Sequence, residues 1–171
     1  VGEDCSRMWV STFHSLCARL LRREAPAIGL SRDFVIYDSA DQLIVVKQAM
    51  KALHIDDSFV QPRAALSRIS HAKNRMESPE AMSASAGWNR RDENIAKIYA
   101  HYLTALKDAS ALDFDDLLLK TVDLFEQSPT VRSKYAQQFR FVMVDEYQDT
   151  NRPQYLLIRR LAEGHRNLCV V

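Results

Sequence analysis

The chain has 171 residues, of which 47% are hydrophobic and 26% charged, enough apolar material for a folded core and too much for a disordered tail. Its 23 basic and 22 acidic residues nearly cancel, so the net charge points to no class of partner. The apolar runs are far shorter than the ~20 residues of a membrane helix, and acidic residues stand where a signal peptide would be basic. We therefore expect a cytoplasmic protein that has no membrane partner.

The N-terminal part predicts, in order, a strand at residues 8–12, a helix at 13–24, a short strand or extended linker at 34–37 and a helix at 39–53. The first strand is apolar and β-branched. Pro26 stops the first helix, and Asp38 or Ser39 can cap the second.

Residues 39–110 contain no predicted strand. Further helices are expected at residues 62–76 and 92–109, with one short helical turn from Ser78 and Pro79. Residues 83–87 form the most loop-like stretch of the chain. We expect residues 39–109 to form an all-helical subdomain.

The C-terminal part predicts a helix from Asp113 to about residue 126, a helix at 129–138, a buried strand at 141–145, a helix at 151–163 and a second buried strand from residue 167. Strands and helices thus alternate at both ends of the chain, with helices alone between them. This order predicts an α/β domain, made of residues 1–38 and 110–171, that is interrupted by the helical insertion 39–109.

The most specific segment of the chain is DEYQDTN, at residues 145–151. The apolar run before it predicts a strand that is buried on both faces and that delivers Asp145 and Glu146 at its carboxyl end, where open α/β sheets bind ligands. One carboxylate there can hold Mg²⁺, and the next can orient and deprotonate the water that attacks a γ-phosphate. A bare Asp-Glu pair is more simply explained as a solvated strand end, but the full string is more specific.

This string resembles motif II, the Walker B element, of superfamily 1A DNA helicases of the UvrD/PcrA/Rep type. Three more segments are similar in order and spacing: STFHSLC at residues 11–17, LDFDDL at 112–117, and NRPQY at 151–155, which continues motif II as in PcrA-like members. The resemblance covers essentially the whole chain. It implies a partial RecA-like P-loop NTPase domain (1A) with a parallel sheet, in which residues 39–109 are subdomain 1B.

The resemblance also implies an ATP-dependent 3′-to-5′ DNA helicase that uses ATP and Mg²⁺ and acts on single-stranded DNA and single-strand/duplex junctions, in DNA repair or replication. By position, the implied roles are Asp145 for Mg²⁺, Glu146 as general base, Gln148 and Asp149 in the network around the nucleotide, and Thr12, Phe13 and His14 against single-stranded DNA. The four glycines of the chain lie far apart, so no phosphate-binding G-x-x-x-x-G-K-[ST] loop is present. We therefore expect the isolated chain to be inactive as an ATPase.

The residues alone leave alternatives for the DNA contacts. A hydroxyl, an aromatic ring and an imidazole at a strand-to-helix turn suit a phosphate and a base, but Thr12 can equally cap the helix while Phe13 joins the core. On the predicted helix 62–76, Arg68, His71 and Arg75 share one face that could follow duplex phosphates. That face is equally explained as a solvated surface.

The residues also allow two rival functions. The acidic residues Asp113, Asp115 and Asp116 could join Asp145 and Glu146 in a two-metal nuclease. No lysine or histidine accompanies these acids in sequence, and helix capping explains the first three more simply. The other rival is a non-catalytic module that binds DNA or protein.

Overall fold

The computed structural model describes residues 8–171 of the chain. Its elements are, in order, α1 (Phe13–Glu24), β1 (Val35–Ile36), α2 (Ser39–Ala52), α3 (Pro62–Asn74), α4 (Pro79–Ala86), α5 (Arg90–Asp108), β2 (Ala111–Leu112), α6 (Phe114–Gln127), α7 (Pro129–Gln138), β3 (Val142–Val144), α8 (Arg152–Ala162) and β4 (Leu168–Val170). Helices and short parallel strands are therefore mixed in the order expected for an α/β protein. Within residues 8–171, no helix has the length and apolar character needed to cross a bilayer.

The helix starts follow from local side-chain chemistry, as the sequence predicted. Asp38 caps α2 and Asp113 caps α6, each accepting a backbone N–H of its own first turn at 2.8 Å and each completing a capping box. Pro62 and Pro129 occupy the first turns of α3 and α7, where the absent N–H is not needed.

The strands form two small parallel sheets. Val35 and Ile36 of β1 pair with Ala111 and Leu112 of β2, so all of α2–α5 lies between two neighbouring strands. In the other sheet β3 pairs with β4, with α8 as the crossover helix. The sequence predicted β1, β3 and β4 but not β2, because Phe34 and Tyr37 extend the apolar run around β1 whereas Ser110 and Asp113 flank β2.

The buried side chains form two clusters. The first cluster packs α1, α6, α7 and α8 together with Phe34 and Leu112. The second cluster packs α2, α3, α4 and α5 together with Val60 and Ala111. Adjacent residues of β2 thus belong to different clusters, and β2 lies where the two clusters meet.

Three expectations about strands need correction. Residues 8–12 form no strand, because no other strand within residues 8–171 pairs with them. The predicted burial of β3 on both faces is wrong, since Met143 is 75% exposed and the flanking Phe141 is 79% exposed. β4 was also expected to be buried, yet all three of its residues are exposed. The apolar side chains of β3 and β4 are therefore only partly buried by residues 8–171.

The predicted loop at residues 83–87 is also wrong. Helix α4 continues to Ala86, and its Met82 is buried in the second cluster. The Ser-Ala alternation permits helix because alanine has the highest helix propensity, and Ser85 Oγ donates a hydrogen bond to the carbonyl of Met82 at 3.0 Å. Gly87, with φ of 56°, ends the helix.

Candidate functional site

The turn after β3 presents two carboxylates to solvent. Asp145 follows the last residue of the strand, and both Asp145 and Glu146 are exposed. Glu146 has φ of 53° and ψ of 41°, a left-handed conformation that a residue with a side chain adopts rarely. Residues held in this region cluster at active sites, where the surrounding structure imposes the conformation.

Hydrogen bonds hold this turn in place. The N–H of Glu146 donates to Oδ1 of Asp145 at 3.0 Å, and the amide of Gln148 donates to Oε2 of Glu146. The N–H of Tyr147 donates to the carbonyl of Val171 at 2.9 Å, which ties the turn to the end of β4. The backbone of the turn is thus anchored where it leaves the sheet.

An exposed carboxylate at the carboxyl end of a parallel strand fits magnesium chemistry. Mg²⁺ is usually held by one or two protein carboxylates, with water and substrate phosphates completing its shell. Asp145 provides one such carboxylate. Gln148 contacts Glu146, whereas Asp149, also exposed, ends the 3₁₀ turn Tyr147–Asp149.

At the start of α1, the structure realises the capping alternative for Thr12. Its Oγ1 accepts a hydrogen bond from the N–H of Ser15 at 3.3 Å and donates one to Oγ of Ser15 at 3.0 Å. Phe13 is half-buried and packs against the first cluster, as the alternative for that residue expects. His14 lies edge-on to Phe114 of α6, with ring centroids 5.8 Å apart. A contact of these residues with DNA stays a prediction.

One cavity of about 440 Å³ brings two parts of the predicted site together. Thr12, Phe13 and His14 line it from the start of α1, and Asp145 lines it from the end of β3. Its lining does not include Glu146, Gln148 or Asp149. The predicted DNA residues and the predicted metal ligand thus face one space.

The predicted duplex-binding face lies elsewhere, on α3. His71 and Arg75 are exposed and Arg68 is half-buried, while Ala65 and Ile69 of the same helix are fully buried. The helix is therefore oriented as its amphipathic pattern predicts. Neither the DNA interpretation nor the solvated-surface interpretation is favoured by this arrangement.

The acidic residues of the LDFDDL segment are engaged by a lysine that the sequence interpretation missed. Nζ of Lys73, on α3, lies 2.6 Å from Oδ2 of Asp113 and 2.7 Å from Oδ1 of Asp116. The hydroxyl of Tyr102 donates to the same Asp113 oxygen at 2.8 Å. A sequence signal existed, since Lys73 stands four residues after the buried Ile69, on the apolar face of α3.

The buried carboxylates of Asp113 and Asp116 set the protonation of Lys73 and Tyr102. Burial alone would lower the pKa of Lys73, but the carboxylates of Asp116 and Asp113 outweigh it and raise that pKa above its ordinary value. Burial also raises the pKa of Tyr102, and the neighbouring carboxylates raise it further. Lys73 therefore stays protonated at neutral pH, and Tyr102 remains a hydrogen-bond donor.

This arrangement argues against the two-metal nuclease. Lys73, Asp113 and Asp116 are each at most 5% exposed, so no substrate phosphate can reach them. Within residues 8–171, moreover, no group of three or more His, Cys, Asp or Glu side chains is arranged to hold a metal ion. The acids cap α6 and pair with a lysine.

Comparison with known proteins gives the class of the chain. A family model described as the UvrD/REP helicase N-terminal domain matches residues 1–171. The chain therefore belongs to the UvrD/REP helicase family and corresponds to the N-terminal part of its members.

Individual relatives agree with this assignment. The ATP-dependent DNA helicase PcrA of Bacillus subtilis (strain 168) is 45% identical over 171 residues, which is 100% of this chain and 23% of that protein. The proteins of the same name from Staphylococcus epidermidis (strain ATCC 12228 / FDA PCI 1200) and Staphylococcus aureus (strain NCTC 8325 / PS 47) are 43% and 42% identical over the same shares. The chain thus spans about a quarter of the length of these curated relatives.

Proposed function

We propose that this chain is part of the motor of an ATP-dependent 3′-to-5′ DNA helicase, or single-stranded DNA translocase. The observation that carries the proposal is the family match over the whole chain, which includes an exposed Asp145–Glu146 pair at the end of a parallel strand. The names of the PcrA relatives state ATP dependence and DNA helicase activity for those proteins. The direction of movement rests on family resemblance.

The proposed organisation is a RecA-like domain 1A, made of residues 1–38 and 110–171, with helical subdomain 1B at residues 39–109. The two clusters of buried side chains support this division, because α2–α5 contribute one cluster and the flanking helices contribute the other. The parallel pairing of β1 with β2 supports it as well, since an inserted subdomain leaves its flanking strands adjacent.

In the proposed nucleotide site, Asp145 holds Mg²⁺ and Glu146 is the general base. Mg²⁺, bound with ATP, supplies positive charge that offsets the charge on the phosphates. Glu146 accepts the proton of the attacking water, and the amide of Gln148 orients the Glu146 carboxylate through the hydrogen bond described above. By family resemblance, Asp149 would belong to the network around the nucleotide.

In the proposed DNA site, Thr12, Phe13 and His14 contact single-stranded DNA from the lining of the shared cavity. The start of α1 offers backbone N–H groups to a phosphate, and the half-exposed rings of Phe13 and His14 suit stacking on bases. Arg68, His71 and Arg75 are proposed to meet the duplex at a single-strand/duplex junction.

The decisive experiment measures ATP hydrolysis by the full-length protein, with and without single-stranded DNA, for the wild type and for Glu146→Gln. Loss of a general base is expected to lower kcat by about 10²-fold or more, with ATP binding retained. Glu163→Gln, an exposed glutamate after α8, is the matched control. If DNA-stimulated turnover survives in Glu146→Gln, Glu146 is not the general base. If the wild type binds DNA but does not hydrolyse ATP, the protein is a non-catalytic DNA-binding module.

The isolated chain is proposed to be inactive as an ATPase, because it contains no phosphate-binding loop of its own. DNA-stimulated hydrolysis by a purified preparation of residues 1–171 would contradict this. Glu146→Gln in the same preparation distinguishes intrinsic turnover from a contaminating ATPase, since only intrinsic turnover depends on that residue.

A further inference from the structure

Asn74, the last residue of α3, lies where the ends of three helices meet. Its Oδ1 accepts a hydrogen bond from Nδ2 of Asn151, the residue that caps α8. Its Nδ2 donates to Oδ1 of Asp115, in the first turn of α6, at 3.1 Å, and to the carbonyl of Ser70, within α3, at 2.8 Å. The half-buried amide of Asn74 therefore links α3 to α6 through its nitrogen and to the start of α8 through its oxygen.

Asn151 has the complementary arrangement. Its Oδ1 accepts from the N–H of Gln154 at 3.0 Å, and its own N–H donates to Oε1 of Gln154 at 2.9 Å, which completes the capping box of α8. Its Nδ2 reaches across to Asn74. Asn151 directly follows residues 145–150, so this contact fixes the point at which that segment joins α8.

The segment that carries the two carboxylates is thus held at both ends. Pairing of β3 with β4 and the bond from Tyr147 to Val171 hold its start, and the Asn151–Asn74 contact holds its finish. Between these anchors lies Glu146 in its left-handed conformation. Such a conformation persists only where the surrounding structure imposes it, so loss of one anchor permits the turn to relax.

Asn74 itself is held firmly. Its neighbour Lys73 is buried between Asp113 and Asp116, which fixes the end of α3 against the start of α6. α3 belongs to the second cluster, whereas α6 and α8 belong to the first. Asn74 therefore gives a displacement of α2–α5 a direct side-chain route to Asn151, where the turn joins α8.

We propose that Asn74 is a positioning residue for the Asp145–Glu146 turn and couples the helical block α2–α5 to ATP hydrolysis. This inference rests on the proposed function. Asn74 touches neither nucleotide nor DNA in this role; it acts through Asn151.

The test uses the full-length protein with Asn74→Asp, which keeps the shape of the side chain and replaces its donor by an acceptor. The variant keeps an acceptor for Asn151, but its second carboxylate oxygen faces both Asp115 and the carbonyl of Ser70. Repulsion from these two oxygens displaces the side chain and, with it, the contact that holds Asn151. The reciprocal double variant, Asn74→Asp with Asp115→Asn, restores a donor–acceptor pair between these positions and keeps an acceptor for Asn151. Asn94→Asp, the same chemical change on α5, is the matched control.

Two quantities are measured: kcat and KM for DNA-stimulated ATP hydrolysis, and hydrogen exchange of the backbone in residues 145–151. Asn74→Asp is expected to lower kcat about tenfold, since small displacements of catalytic groups have such effects, with little change in KM and with faster exchange. The double variant relieves the repulsion at position 115 but not that from the Ser70 carbonyl, so it is expected to recover part of the lost kcat and of the exchange protection. Asn94→Asp is expected to resemble the wild type.

The inference is overturned if Asn74→Asp matches the wild type in kcat and exchange, or if the double variant, folded to the same melting temperature, recovers neither. Its failure is separate from that of the proposed function, which Glu146→Gln tests. Exchange in residues 145–151 decides the positioning role even in a protein without turnover.

Discussion

Nζ of Lys73 lies 2.6 Å from Oδ2 of Asp113, and this buried contact joins the end of α3 to the start of α6. The two residues belong to helices of different clusters, so the ion pair spans the boundary between them. Asp113 also caps α6 and accepts a hydrogen bond from Tyr102 of α5. One carboxylate therefore has partners on three helices.

Lys73→Met is expected to destabilise the chain strongly. The substitution leaves the carboxylates of Asp113 and Asp116 buried without a counter-charge, which costs about 3–5 kcal/mol in comparable cases. Urea denaturation followed by circular dichroism measures the loss. A triple variant also carries Asp113→Asn and Asp116→Asn, so it has no unpaired charge at these positions. It is expected to regain most of the unfolding free energy lost in Lys73→Met. A Lys73→Met chain as stable as the wild type would contradict this account.

Glu24 is expected to stabilise the folded chain at neutral pH and to lose this contribution in acid. Its Oε1 accepts from Nζ of Lys134 at 2.6 Å and from the hydroxyl of Tyr135 at 2.9 Å, which joins the end of α1 to α7. The hydrogen bond from Lys134 lowers the pKa of Glu24 below 4.5; burial opposes this and the hydroxyl of Tyr135 adds to it. Because the folded state binds this proton more weakly than the unfolded state, the contribution is full above pH 4.5 and disappears as the pH falls through the lowered pKa.

Glu24→Gln is therefore expected to cost about 1 kcal/mol at pH 7, and the difference from wild type should shrink toward zero below pH 4.5. Urea titrations between pH 7 and pH 3 measure it. Glu93→Gln removes an exposed i,i+4 pair with Lys97 on α5 and should cost less at pH 7. A Glu24→Gln difference that is constant across this range would exclude the linkage.

Local chemistry made much of the fold predictable, and long-range contacts account for the rest. The starts of α2, α3, α6 and α7 follow from caps and first-turn prolines that act within a few residues. The pairing of Val35 with Ala111 joins residues separated by four helices, and no local pattern encodes it. The pairing of Lys73 with Asp113 and Asp116 was not predicted, because these partners lie about forty residues away in sequence, at the start of another helix.

For the site, the sequence predicted which residues to consider but not their contacts. Asp145 and Thr12 were chosen by motif, and the structure places both on one cavity. The left-handed backbone of Glu146 was not predicted, since neither its type nor its neighbours require that conformation. The link from Asn74 to Asn151 was also missed, because asparagine at a helix end is normally explained by capping alone.

Substitution of Thr12 by Asp separates its capping role from its proposed DNA role. Aspartate caps a helix at least as well as threonine and favours the positive end of its dipole, so stability should be kept. Thr12→Ala removes the cap and should cost about 1 kcal/mol. In the full-length protein, Thr12→Asp should nevertheless weaken single-stranded DNA binding by about tenfold, because a carboxylate repels phosphate. Fluorescence anisotropy with an oligonucleotide measures this, and unchanged affinity would leave Thr12 as a cap only.

The exposed face of α3 is tested by the salt dependence of duplex binding. If Arg75 contacts a phosphate, Arg75→Ala should reduce the slope of log K against log salt by about 0.9, the value expected for one phosphate contact on duplex DNA. Lys47→Ala, an exposed cation on α2 in the same helical block, is the matched control and should leave the slope unchanged. Binding of the full-length protein to a single-strand/duplex junction is measured between about 50 and 200 mM salt, the range over which phosphate contacts change affinity most clearly. Equal slopes for both variants and the wild type would favour a solvated helix face.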